Sequence, residues 1–128
     1  MKSRATSPEH ILVVEDDRDL RNTLCAALQL EGYVAVCTEN GEAALRYLAT
    51  GARPCLILLD LMMPVMDGWT FRQELQKDPS LAAIPVVVMT AAIPARAAAI
   101  ASQAILYKPL HMGKVMHVVQ QHCPDGAV

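Results

Sequence analysis

The side chains best suited to phosphoryl-transfer chemistry stand at the ends of four short apolar runs. Residues 11–14 (ILVV) lead into Glu15, Asp16 and Asp17, and residues 56–59 (LILL) lead into Asp60. Residues 86–89 (VVVM) lead into Thr90, and residues 104–107 (AILY) lead into Lys108 and Pro109. A carboxylate such as Asp60 can attack phosphorus and become an aspartyl-phosphate. That transfer needs a cation to neutralise the phosphoryl oxygens, and further carboxylates can hold one, with magnesium the usual occupant. A hydroxyl and a compact ammonium can contact the same oxygens. Each residue also has a plainer role: Asp60 as a loop cap, Thr90 as a β-branched strand end, Lys108 as a sheet-edge lysine. The acids at 15–17 suit the N-terminus of a helix dipole. One acid would serve that purpose, so three facing a fourth point to a cation.

The apolar runs themselves predict how these groups meet. Short unbroken apolar segments are the pattern of parallel strands covered on both faces, and ligands of open α/β sheets bind beyond the carboxyl ends of such strands. Strands are predicted at 10–15, 33–37, 55–59, 85–89 and 104–107. A first helix over 18–31 presents Leu20, Leu24, Ala27 and Leu28 on one face and stops at Gly32. Asn40 caps a second helix that runs to about residue 50, before Gly51. A third, 68–77, is anchored by Trp69, Arg72 and Leu75 and broken by Asp78-Pro79. A fourth opens on Pro94 and runs to 101, and a fifth covers 112–122. Strict strand–helix alternation with right-handed crossovers gives an α/β, doubly wound, five-stranded parallel sheet with five helices. Pro109 after Lys108 suggests a cis peptide that aims the lysine inward.

At 128 residues and a net charge of −2, the chain is one ordinary domain with no basic cluster for nucleic acid. No stretch approaches the ~20 apolar residues that span a bilayer, and the polar N-terminus lacks a signal-peptide core, so a cytoplasmic protein is expected. Residues 1–9 read as a disordered leader, 10–123 as the domain and 124–128 as a tail. Cys25, Cys37 and Cys55 read as small buried hydrophobes and Cys123 as a thiol near a frayed end, with no disulfide framework expected. His111, His117 and His122 do not share a helix face and read as solvated.

Taken in order, residues 14–17 (VEDD), 58–64 (LLDLMMP) with Asp67-Gly68, 89–91 (MTA) and Lys108-Pro109 resemble the receiver domain of two-component response regulators, of the chemotaxis-regulator type. The resemblance covers about residues 9–123. It implies a flavodoxin-like strand order of 2-1-3-4-5 and a phosphoryl group accepted on Asp60 from a sensor histidine kinase or a histidine phosphotransfer protein. It further implies magnesium bound directly by Asp16, Asp60 and the backbone carbonyl of Met62, with Glu15 acting through water. Thr90 and Lys108 would contact the phosphoryl group, while Asp17 lies one place beyond the acid pair. The chain would then act as a single-domain, monomeric regulator that docks a downstream protein, rather than as an enzyme. The alternative reading is a receiver within a larger hybrid kinase or DNA-binding regulator.

The chain departs from the family pattern at Ile105, where receivers usually carry Tyr or Phe; the nearest aromatic, Tyr107, stands one position before Lys108 and is expected on the opposite sheet face from Leu106. The Ala-rich stretch at 97–101, with alanine at 101 where glycine is frequent, predicts a short or mobile fourth helix. Two other classes fit less well. A small aspartate-nucleophile phosphatase would place a general acid where this chain has Met62. A flavodoxin-like cofactor binder would need a phosphate-cradling loop where this chain has Glu15-Asp16-Asp17.

Overall fold

The computed structural model describes residues 9–91 and 94–124. The predicted tail beyond residue 124, the leader up to residue 8 and Ala92 beside the site lie outside the described residues. In chain order the elements are β1 (His10–Val14), α1 (Arg18–Leu30), β2 (Val34–Thr38), α2 (Gly41–Leu48) and β3 (Leu56–Asp60). They continue with α3 (Gly68–Gln76), α4 (Pro79–Ala82), β4 (Val86–Thr90), α5 (Pro94–Ala97), β5 (Ala104–Tyr107) and α6 (Met112–His122). The strands form one parallel sheet in the order β2-β1-β3-β4-β5. This is the doubly wound, flavodoxin-like arrangement expected from the sequence.

Successive residues of each central strand enter opposite layers, as the two-residue period of a strand requires. Leu12, Val14, Ile57 and Leu59 pack with Ala44 and Leu48 of α2 and Phe71 and Leu75 of α3. Ile11, Val13, Leu56 and Leu58 pack with Leu24 and Leu28 of α1 and Val115 and Val119 of α6. Full burial of one such side chain contributes about 1.5–3 kcal/mol. Both faces of β1, β3 and β4 are therefore sealed, and the polar residues at their ends project from a rigid base.

Local chemistry sets the helix ends. Asp17, Asn40 and Asp67 cap α1, α2 and α3, accepting from the backbone amides of Leu20, Ala43 and Thr70 at 3.0, 2.8 and 2.8 Å. Gly32 and Gly51 end the first two helices at φ values of 94° and 95°, a conformation that costs glycine little.

Three expectations need correction. The helices number six among the described residues, because the Asp78-Pro79 pair that ends α3 also starts α4: Asp78 accepts from the Ser80 amide at 3.0 Å and proline occupies the first turn. Next, α5 ends at Ala97 instead of residue 101: Ala98 and Ala99 are exposed, and the next buried side chain, Ile100, reaches the core from outside the helix. No left-handed alanine follows it; among the described residues the non-glycine with positive φ is Val65, at 71°. Finally, the cysteines are not four separate thiols. The sulfurs of Cys25 and Cys37 meet, as do those of Cys55 and Cys123, with Cα separations of 6.7 and 5.8 Å. Cys123 is fully buried at the end of α6 and does not fray. Spacing in sequence carried no trace of either pairing, because each is made by packing one element over another.

Candidate functional site

The carboxyl edge of the sheet gathers the predicted residues. Glu15 and Asp16 follow β1, Asp60 is the last residue of β3, Thr90 is the last of β4, and Lys108 follows β5. Strand order puts β3 between β1 and β4, so Asp60 stands at the middle of this edge. In register, Val14 lies beside Leu59 and Met89 beside Asp60. Ligand oxygens of Glu15, Asp16 and Asp60 all lie within 4.8 Å of one another. Glu15 and Asp60 are buried while Asp16 is exposed, so the cluster is dry at its base and open at one side.

Lys108 supplies the balancing charge. Its Nζ lies 2.9 Å from Glu15 Oε1 and 3.5 Å from Asp60 Oδ1. The Lys108 amide donates to the Thr90 carbonyl at 2.9 Å, and the Lys108–Pro109 peptide is cis, as expected. Burial pulls the lysine downward, but the facing carboxylates outweigh it and hold its pKa above the usual lysine value. Asp60 moves the other way. Burial first, then the charge on Glu15, raise its pKa to about 7 against the opposing pull of Lys108, with Asp16 adding to the rise. A carboxyl that gives up its proton so reluctantly is one that a cation would relieve.

The remaining candidates divide. Thr90 is fully buried at its strand end. Met62 sits in the loop after Asp60, half exposed, lining an open hollow with Met63, Asp67, Trp69 and Arg96. Asp17 is not in the cluster; its carboxylate is spent on the α1 cap, the plainer of its two roles. The Asp17 amide in turn donates to Glu15 Oε2 at 3.1 Å, and Arg21 donates to the Glu15 and Asp16 carbonyls at 2.9 and 3.3 Å. Arg21 therefore fixes the backbone of the acid pair, a role that sequence reading missed although its place one turn into α1 allowed it. His111, His117 and His122 form no metal-capable cluster among the described residues.

Two other features shape the loop after Asp60. A Cβ on Gly68 would lie 2.6 Å from the Asp60 carbonyl and 2.8 Å from Leu61 Cα, so only glycine lets α3 start this close to Asp60. Trp69 reaches α5: its Nε1 donates to the Arg96 carbonyl at 3.1 Å, and the Arg96 guanidinium lies 4.6 Å from the indole centroid. Arg72 Nε donates to the Ala101 carbonyl at 3.0 Å. The first residues of α3 thus hold the short α5 and the chain leaving it.

A model of the response regulator receiver domain matches residues 11–120. The chain belongs to that family. Receiver domains of this family are phosphoacceptor signalling modules and not conventional enzymes. One relative, the probable transcriptional regulator ycf27 of Porphyra purpurea, is 39% identical over 83 residues, covering 65% of this chain and 32% of that protein. The receiver thus spans about a third of the length of such curated relatives. Among solved structures, the signal receiver domain of a signal transduction histidine kinase from Syntrophus aciditrophicus superposes with a TM-score of 0.83 at 30% identity, covering 91% of this chain and 90% of that one. The receiver domain of the sensor histidine kinase PA1611 from Pseudomonas aeruginosa PAO1 gives 0.82 at 24% identity, covering 93% and 100%, and carries a coordinated magnesium ion in its active-site cleft. In the present receiver the clustered carboxylates form a group able to hold a metal ion. No described helix is long and apolar enough to cross a membrane.

Proposed function

We propose that Asp60 is the phosphoacceptor of this receiver and that its donor is a phosphohistidine on a sensor kinase or a histidine phosphotransfer protein. A carboxylate oxygen of Asp60 attacks phosphorus, the phosphorus–nitrogen bond to the donor imidazole breaks, and the imidazole leaves with a proton from solvent. The observation that carries this proposal is the convergence of Glu15, Asp16 and Lys108 on Asp60 at the carboxyl edge of the sheet.

The donor set fits magnesium: it is all oxygen, it is rich in carboxylates, and the acceptor carboxyl is held high by burial and by Glu15. Asp16, Asp60 and the Met62 carbonyl would hold the ion, with Glu15 acting through water. When bound, it would neutralise the phosphoryl oxygens and keep Asp60 ionised. Lys108 sits within reach of both buried acids and can follow the charge as it moves outward onto phosphate. Thr90, at the end of the next strand, offers a hydroxyl to a phosphoryl oxygen. Slow loss of phosphate by water attack belongs to the same proposal.

The output is docking to a protein partner in the cytoplasm, by a monomer without nucleic-acid contacts of its own. A second arrangement is favoured by one observation. The relatives are about three times the length of the matched region and include transcriptional regulators, which supports this receiver controlling a separate DNA-binding segment. The test is phosphorylation by a small acyl phosphate with and without magnesium, followed on phosphate-affinity gels, then transfer from candidate kinases. Stoichiometric, base-labile labelling that needs magnesium and is lost in Asp60→Asn supports the proposal. Continuous turnover of a phosphomonoester, or unaltered labelling in Asp60→Asn, refutes it.

A further inference from the structure

Both cysteine pairs lie away from the phosphoryl site, and Cys55–Cys123 is the better placed for chemistry. Cys55 precedes β3 and Cys123 caps the end of α6, so the pair joins the sheet to the last helix at the edge opposite Asp60. Its Cα separation of 5.8 Å sits within the range that a disulfide spans without backbone movement. The Cys25–Cys37 separation of 6.7 Å lies near the upper limit of that range. Cys55 Sγ also lies 3.2 Å from the His10 carbonyl oxygen. A reduced Cys55 thiol has a proton to donate to that oxygen, whereas a disulfide sulfur has none. Cys55 is half-buried and Cys123 is fully buried. Reagents therefore meet Cys55 first, with Cys123 held behind it.

We infer that Cys55 and Cys123 form a reversible dithiol–disulfide couple, oxidised by low-molecular-weight disulfides. The Cys55 thiolate attacks one sulfur of the reagent, forming a mixed disulfide and releasing one thiolate. Cys123 attacks the Cys55 sulfur, its proton passing to the departing sulfur so that the second small molecule leaves as a thiol. In sum, two protein thiols and one small disulfide give one protein disulfide and two small thiols, and a dithiol reductant reverses the exchange. In a reducing compartment the pair rests as thiols. Oxidation closes a loop with a sequence separation of 68 and ties α6 covalently to β3. Loop closure on that scale raises the melting temperature by on the order of 10 °C.

The full chain, reduced and desalted, is incubated with oxidised glutathione, blocked with a maleimide and mapped by mass spectrometry without reduction. The expected result is a peptide containing Cys55 joined to one containing Cys123, released by dithiothreitol, with the higher melting temperature. Cys25→Ser/Cys37→Ser keeps both signatures, and Cys55→Ser loses both. Should Cys55→Ser fail to fold, the wild-type map decides alone. Stable glutathione on Cys55, cross-links between chains, or full maleimide labelling of both residues after oxidant each overturns the inference.

Discussion

Lys108 is closer to Glu15 than to Asp60: its ammonium lies 2.9 Å from the first carboxylate and 3.5 Å from the second. The lysine is shared between two buried acids, so its removal strands both. Lys108→Met is expected to destabilise the metal-free receiver at neutral pH by about 2 kcal/mol, reduced from the fully buried case because the lysine keeps some solvent contact. Adding Glu15→Gln should restore part of that loss, because one of the stranded charges disappears. Urea denaturation of the single and double variants measures it; a double variant no more stable than Lys108→Met alone contradicts the sharing.

The raised pKa of Asp60 has a stability consequence with a definite sign. A carboxyl whose folded pKa is about 7 against an ordinary 3.8 binds more protons folded than unfolded between those values. Stability from this group is therefore full below about pH 4 and is lost as pH rises through about 7. In chelator, Asp60→Asn should melt several degrees above wild type at pH 8, with the gap closing by pH 4. Magnesium should narrow the gap at pH 8 by favouring the ionised carboxylate of the wild type. Parallel melting curves of the two proteins from pH 4 to 8 would contradict the shift.

Gly68 faces the acceptor backbone with no room for a side chain. Gly68→Ala should cost roughly 2 kcal/mol through forced displacement of residues 60 and 61. It should also slow Asp60 phosphorylation in conditions where the variant remains folded. Wild-type stability and labelling rate in Gly68→Ala would show that the loop yields freely.

Trp69 and Arg72 hold α5 and the chain beyond it. Trp69→Phe removes the indole donor and weakens the cation–π contact, so amide exchange over 94–101 should accelerate several-fold while β1 and β3 stay protected. Ile105, where the resembling receivers carry an aromatic, is partly buried against the core, so the expectation is that the proposed docking is switched through the order of this segment. A beryllofluoride complex should therefore change exchange over 94–104. Equal, strong protection in the free and bound states would remove that idea.

The sheet and its site were legible from the chain because both are written locally. Each strand is a contiguous apolar run, and Glu15, Asp60, Thr90 and Lys108 are each the first polar group after one, with Asp16 directly following Glu15. The capping residue Asn40 fixed a helix start in the same local way, whereas the caps made by Asp17 and Asp67 emerge from the structure. What escaped depended on contacts between elements. Arg21 reaching back to Glu15, the shared Lys108 and the two cysteine pairs all depend on which helix lies over which strand. The short α4 is hidden for a different reason: Asp78-Pro79 breaks one helix, and the same dipeptide also starts the next.

The chain has a single tryptophan, and it is Trp69, held at its edge by the α5 backbone and on its face by a guanidinium. Its emission thus comes from one place, the junction between the segment following the acceptor and the segment proposed to respond. On the proposed function, unlabelled protein in a fluorimeter should then report phosphoryl arrival, metal titration and partner capture in real time, with no dye to disturb the surface being watched.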